Sequence, residues 1–147
     1  MRESMGTTWI FGLVLTFIMM FSTFLVLSLN YSGVYANKND VISILQKYEG
    51  YTTKSEKLIL TYLGASGYLN RGQCPDDYYG VTSSDGTGSL GASKSLYCIQ
   101  QTGKKYNIIL FYKFNLPVIG NILDFRIIGQ TNNIIISSSS GDYINIS

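Results

Sequence analysis

The N-terminal part of the chain contains one long stretch without charge. No charged residue stands between Glu3 and Lys38, and the most apolar part of this stretch runs from Trp9 to Leu29. A bilayer core of about 30 Å needs roughly 20 helical residues, and amphipathic rings such as those of Trp9 and Tyr31 favour its two boundaries. A buried helix of a soluble protein is the alternative, but a small domain rarely holds so long a charge-free run. The sequence therefore predicts one membrane span.

The helical periodicity continues beyond the apolar run. Four residues follow the i, i+3, i+4, i+7 spacing of an amphipathic helix: Val41, Ile44, Leu45 and Tyr48. Val34 extends this stripe one heptad back, and Gly50 suits the C′ position at the helix end. We therefore expect residues 1–31 to form the N-terminal head and transmembrane helix, and residues 32–50 its amphipathic continuation.

Two cysteines indicate on which side of the membrane the rest of the chain lies. Cys74 and Cys98 are the only ones, and they fit a disulfide formed in an oxidising compartment. We expect a cytoplasmic N-terminus and an extracytoplasmic or cell-surface C-terminal domain; two free thiols in a cytosolic domain are the alternative. Val34 and Ala36 also have the spacing of a signal-peptidase site, but the continuing helix argues against cleavage there.

Residues 51–147 are expected to form an extracytoplasmic α+β head, with a glycine-rich loop region at residues 68–95. In "TKSE", Thr53 and Glu56 predict a capping box that opens a short second helix, which Gly64 and Gly67 end.

Strand signals follow the loop region. "SLYCIQQT" predicts a strand, and "YNIILFYKFNLP" and "ILDFRIIGQT" alternate between apolar and polar residues. Asn132–Asn133 predict a turn into a further strand at Ile134–Ile136. The expected fold class is α+β, in which a long N-terminal helix and a short second helix pack on a small antiparallel β-meander of three to five strands.

Patterns typical of enzymes and ligand sites are weak in this chain. It has no histidine, which excludes catalysis by histidine and metal sites with histidine ligands. The literal G-x-G-x-x-G formed by Gly86, Gly88 and Gly91 follows no convincing strand. Three aspartates lack the ligand spacing of a calcium loop: Asp76, Asp77 and Asp85. We expect no catalytic activity, no cofactor, no metal, no small-molecule substrate and, since lysine and arginine are scattered, no nucleic-acid partner.

Two stretches resemble a known family. "MGTTWIFGLVLTF" and "YKFNLPVIGNILDFRIIGQT" look like the TadE-like pseudopilins of tight-adherence pilus systems, which are type IV pilin-like subunits. The resemblance implies a membrane-anchored protein without a cofactor that joins other pilin-like subunits through its N-terminal helix. The chain departs from the family at Phe11, the fifth residue after a cut behind Gly6, where the family usually has glutamate.

These observations predict a pilin-like subunit or assembly factor. Thr8, Gly12 and Thr16 recur every four residues and form a small-xxx-small ridge suited to helix packing in a bilayer. The alternative is a permanently anchored extracytoplasmic binding or accessory domain. Its contact loop would hold three residues: Tyr78, Tyr79 and Asp85.

Overall fold

One long helix and one short helix lie against a five-stranded antiparallel sheet. The computed structural model describes residues 2–67, 70–83, 85–116, 120–135, 143–144 and 146. The elements are α1 (Arg2–Lys47), α2 (Thr53–Ser66), β1 (Tyr79–Val81), β2 (Gly88–Leu90), β3 (Tyr97–Thr102), β4 (Lys105–Leu116) and β5 (Gly120–Gln130). The predicted α+β fold class is confirmed.

The apolar and amphipathic stretches form one continuous helix, α1, whose end differs by one residue from the prediction. The Glu49 N–H donates to the Gln46 carbonyl at 3.2 Å, and the Gly50 N–H donates to the Leu45 carbonyl at 2.9 Å. With a φ of 54° at Glu49, these bonds form a Schellman motif. Glu49 therefore holds the C′ position that was predicted for Gly50. Gly50 is still needed, because a Cβ there would lie 3.0 Å from the Tyr106 hydroxyl oxygen.

The core lies between the second half of α1 and the inner face of the sheet. Val34, Val41 and Leu45 on α1 are completely buried. The inward residues of β4 are buried at every second position: Ile108, Leu110, Tyr112 and Phe114. In β5, Phe125 and Ile127 are half-buried while Asp124 and Arg126 are exposed, so the predicted phase of these residues is confirmed. The side chains of Leu116 and Leu123 lie outside the described part of the chain.

The sheet departs from a simple meander at one step. Its strand order is β2-β1-β3-β4-β5. β3 follows β2 in sequence but pairs with β1, whereas the other sequence neighbours pair with each other. β1 and β2 lie within residues 68–95, for which the sequence predicts a loop region. Each has three residues, too few for an alternating signal. Gly88 is required by close approach, since a Cβ there would lie 2.3 Å from the Gly80 carbonyl oxygen.

The N-terminus of α2 lies one residue earlier than predicted. Thr52, not Thr53, is the N-cap, and its side chain accepts the Ser55 N–H at 3.2 Å. The Ser55 hydroxyl accepts the Thr52 N–H at 2.8 Å in return, so Ser55 completes the capping box in place of Glu56. The helix continues through Gly64 to Ser66, and Gly67 then takes a left-handed φ of 68°.

Residues 131–135 form no strand, contrary to the prediction from Asn132–Asn133. The Thr131 N–H donates to the Tyr106 carbonyl at 2.9 Å, and the Ile134 N–H donates to the Lys104 carbonyl at 2.8 Å. The segment thus folds back over the β3–β4 turn and buries Ile134. Ile136 lies outside the described residues.

The phase of β5 is tested by two adjacent substitutions. Phe125→Asp should destabilise the head by about 2–4 kcal/mol, because it places a carboxylate where the Phe125 ring now lies 5.1 Å from that of Phe114. Asp124→Asn should cost much less, since Asp124 is exposed. Thermal unfolding in detergent, followed by near-ultraviolet circular dichroism, measures both. Equal losses would contradict the assignment of faces.

Candidate functional site

The first half of α1 extends beyond the head without any cover from it. Among the described residues, one helix is long and apolar enough to cross a membrane, with a mean hydropathy of 2.5 in a window of which none is buried. Residues 6–22 are all exposed. Burying a helix that is apolar on every side requires lipid or other proteins. This half of α1 is therefore the leading candidate for the functional surface.

The predicted ridge lies on this exposed surface. Thr8, Gly12 and Thr16 line a shallow groove together with larger side chains, namely Trp9, Leu13, Phe17 and Met20. The Thr16 hydroxyl donates to the Gly12 carbonyl oxygen at 2.9 Å, so its hydrogen-bonding need is met within the helix. A Cβ on Gly12 would meet no atom within 4 Å. A larger side chain at Gly12 therefore disturbs nothing in the described part of this chain.

Aromatic and basic side chains follow the end of the apolar run. The Tyr31 hydroxyl donates to that of Tyr35 at 3.2 Å, and the Lys38 Nζ lies 4.6 Å from the centroid of the Tyr35 ring. Four residues before Tyr31, the half-buried Leu27 packs against the head core. Tyrosine and lysine in this arrangement are typical of the boundary between lipid and water.

The predicted disulfide is present, and it closes a second core on the face of the sheet away from α1. Cys74 and Cys98 are bonded, with their Cα atoms 5.7 Å apart. Both are buried in a cluster with Ile109, against which Tyr78 and Phe111 pack. Gly72 lies against the Phe111 ring, where a Cβ would come within 2.3 Å of a ring carbon. The bond therefore holds a glycine-containing segment on the outer face of the sheet.

The residues of the predicted contact loop are not brought together as one surface. Tyr78 is half-buried and packs against the disulfide cluster, whereas Tyr79 packs against the main core beneath α1. Asp85 is exposed in the turn between β1 and β2. Much of each tyrosine surface is therefore used inside the head, and their role in binding a partner stays a prediction.

A buried polar network was missed by sequence reasoning. Tyr51 and Tyr97 are completely buried, and Glu56 is 8 % exposed. The Tyr51 hydroxyl donates to Glu56 Oε1 at 2.8 Å and lies 2.9 Å from the Tyr97 hydroxyl oxygen. The Glu56 carboxylate also lies against Gly86, where a Cβ would stand 2.8 Å from it. The network links α2, β3 and the β1–β2 turn. No local sequence signal indicates it, because Glu56 was assigned to the capping box.

Burial controls the protonation of this network. Burial raises the pKa of the Glu56 carboxyl above its ordinary value of 4.5, and the hydrogen bond from Tyr51 offsets part of that effect. Burial also raises the pKa values of Tyr51 and Tyr97, so both phenols stay protonated at physiological pH. Elsewhere in the core, burial raises the pKa of Tyr112 to about 12, while the nearby Asn37 side chain lowers it. The Tyr112 hydroxyl makes no hydrogen bond of normal geometry to a described residue.

Metal-binding chemistry finds no support in the geometry. Within the described residues, no group of three or more histidine, cysteine, aspartate or glutamate side chains is placed to hold a metal ion. Glu56 and Asp85 line a common groove with Lys57 and Thr53, but two carboxylates do not make a metal site. The features that remain for function are the exposed helix and the disulfide-bonded head.

The disulfide is expected to stabilise the head. Cys74→Ser and Cys98→Ser should each destabilise the head by about 3–4 kcal/mol in the chain-entropy model. On non-reducing gels the two variants should migrate alike, at a position different from that of the parent. Thermal unfolding in detergent measures the loss. Protein taken from cells without reductant should resist alkylation; two freely alkylated thiols would contradict both the bond and the extracytoplasmic location that we infer from it.

The raised pKa of Glu56 predicts how stability depends on pH. Because the folded pKa lies above the unfolded one, the stabilising contribution of the protonated carboxyl is present below pH 4.5 and is lost as pH rises through the folded pKa. Glu56→Gln should therefore gain thermal stability relative to the parent as pH rises from 4.5 to neutrality. Tyr51→Phe removes the hydrogen bond that lowers the pKa of Glu56. It should therefore enlarge the loss of stability that accompanies the rise in pH. If the thermal stabilities of the parent and of Glu56→Gln depend on pH in the same way, the raised pKa of Glu56 is refuted.

No protein-family model matches this chain, and neither a curated protein nor a solved structure matches it. What can be inferred about its function therefore comes from its exposed helix, its disulfide and the packing of its head.

Proposed function

We propose that this protein is a membrane-anchored, pilin-like structural subunit or assembly factor of an envelope filament or secretion-type machine. Its N-terminal helix would hold it in the bilayer and pack against the helices of the same or related subunits. The observation that carries this proposal is the exposure of residues 6–22 of α1, on every side of the helix.

Length and boundary residues support the membrane anchor. From Trp9 to Leu29 the helix rises about 30 Å, which equals the thickness of a bilayer core. Thr16 and Thr23 each donate a hydroxyl hydrogen bond to the carbonyl four residues earlier, at 2.9 Å. Their polar groups are thus satisfied without water, as lipid requires.

The disulfide supports the proposed orientation. A bond between Cys74 and Cys98 forms and persists in oxidising compartments rather than in the cytosol. The head would therefore lie outside the cytoplasm, with the short N-terminal segment before the span on the cytoplasmic side.

The ridge supports association in addition to anchoring. Lipid tails are as apolar as leucine, so helices in a bilayer associate through close van der Waals contact at small residues. Thr8, Gly12 and Thr16 supply such a surface within the exposed half of α1. The resemblance to TadE-like pseudopilins, which join other subunits through this helix, points in the same direction.

Substitution at Gly12 tests the proposed association. Gly12→Leu should keep the protein in the membrane and leave the head folded, because, apart from the helix's own nearby backbone, no atom of the described residues lies within 4 Å of a Cβ there. It should lower cross-linking to partner subunits by on the order of tenfold, equivalent to about 1.4 kcal/mol of association free energy. A photo-cross-linking phenylalanine analogue at Phe17, which lines the same groove, measures the yield in native membranes.

Leu15→Ile is the matched control, because it changes shape without changing size at an exposed position of the same helix. It should cross-link like the parent. If Gly12→Leu also cross-links like the parent, the helix is only an anchor. A permanently anchored extracytoplasmic binding or accessory domain would then describe the protein better.

A further inference from the structure

The direction of the β4–β5 hairpin along α1 follows from three contacts. Near the start of β4, Tyr106 lies against Gly50, just beyond the end of α1. Gly129, which pairs with Ile108, lies against Lys38 and Ile42, where a Cβ would come within 2.9 Å of Ile42 Cδ1. Tyr112 lies beside Asn37. β4 therefore runs antiparallel to α1, and its end at Leu116 lies toward the exposed apolar half of the helix.

Between the first and the last of these contacts, the distances along the two elements are nearly equal. From Gly50 back to Asn37 the chain covers about 20 Å at the rise of a helix, and from Tyr106 to Tyr112 the strand also covers about 20 Å. β4 continues from Tyr112 to Leu116 for about 13 Å, which corresponds to about nine residues of helix. Leu116 and its partner Gly120 therefore lie at about the level of Ser28.

That level is the end of the apolar run. Leu29 is its last residue, and the aromatic and basic group of Tyr31, Tyr35 and Lys38 follows directly. On the side of α1 that faces the head, Val26 and Leu27 are already half-buried. The head thus reaches down α1 to the predicted boundary of the bilayer.

The sequence of the hairpin changes character at the same height. Lys113 and Asp124 are cross-strand partners, and both are exposed, as is Arg126. Between Lys113 and Asp124 no residue is charged, and the only polar side chains are those of two asparagines. An apolar end below a row of charges is typical of a segment that enters the headgroup region of a membrane.

We propose that the hairpin end, meaning residues 114–116 and 120–123, enters the interfacial region of the bilayer that holds α1. The head then has two membrane contacts, the helix and the hairpin end. The partner at the hairpin end is lipid at the boundary between headgroups and acyl chains. This inference rests on the proposed membrane anchor, without which the hairpin end has no bilayer beside it.

Tryptophan fluorescence tests the depth of the hairpin end. Trp9 is the only tryptophan, so that Trp9→Phe gives a silent background for the full-length protein in liposomes. In that background, Ile122→Trp should be quenched several-fold more strongly by lipids brominated near the headgroup than Ile128→Trp. Residue 128 lies about 20 Å farther along β5, and Ile128 is 60 % exposed. An intact disulfide on non-reducing gels shows that each variant is folded, and Asn115→Trp replaces Ile122→Trp if that variant misfolds.

The outcomes distinguish a failure of the membrane anchor from a failure of the hairpin contact alone. Quenching of the parent's Trp9, together with quenching at position 122 but not at position 128, supports both. Quenching of Trp9 with none at position 122 overturns the hairpin contact and leaves the anchor intact. No quenching of Trp9 overturns the anchor and this inference together. In the last outcome, bromolipids do not quench the tryptophan at position 122, but this tryptophan becomes shielded from water at high protein-to-lipid ratio. Another subunit would then cover the hairpin end, which would also overturn the inference.

Discussion

The packing of the second half of α1 on the inner face of the sheet determines what the rest of the molecule can do. Val34, Val41 and Leu45 are completely buried there, while residues 6–22 of the same helix are exposed on every side. One helix thus belongs to two environments. Because α1 contains no proline, the head is joined to its exposed half through a continuous ladder of helical hydrogen bonds rather than through a flexible linker.

The outer face of the sheet is covered by a different means. Without the segment that carries Cys74, the apolar side chains of Ile109 and Phe111 would face water. That segment contains Gly72 and offers little apolar surface of its own, so packing alone would stabilise its position only weakly. The disulfide supplies a covalent attachment to β3, and the small cluster around it then excludes water. A head of this size gains much from such a bond, because small domains bury a limited fraction of their surface.

Long elements could be predicted from the sequence, whereas short and tertiary features could not. β4 and β5 alternate over enough residues to define their faces, and the stripe from Val34 to Leu45 defines the buried side of α1. In β1, Gly80 is needed because a Cβ would collide with Ser95 Oγ at 2.2 Å, and this need removes the strand signal. The pattern at the start of α2 fits either Thr52 with Ser55 or Thr53 with Glu56. The choice is made by tertiary structure, since Glu56 is drawn into the core by Tyr51.

The regular helical geometry of α1 also relates the side that carries the head to the side that carries the ridge. At about 100° per residue, Val34 lies only about 40° around the helix from Gly12, and Val41 about 20°. The ridge and the head are therefore on the same side of α1. A neighbouring helix that packed on the ridge in parallel would lie beneath the head, and its own upward continuation would meet that head. Two subunits that packed through the ridge at equal height would bring their heads to the same side, and an axial offset, as between successive steps of a helical stack, would separate them.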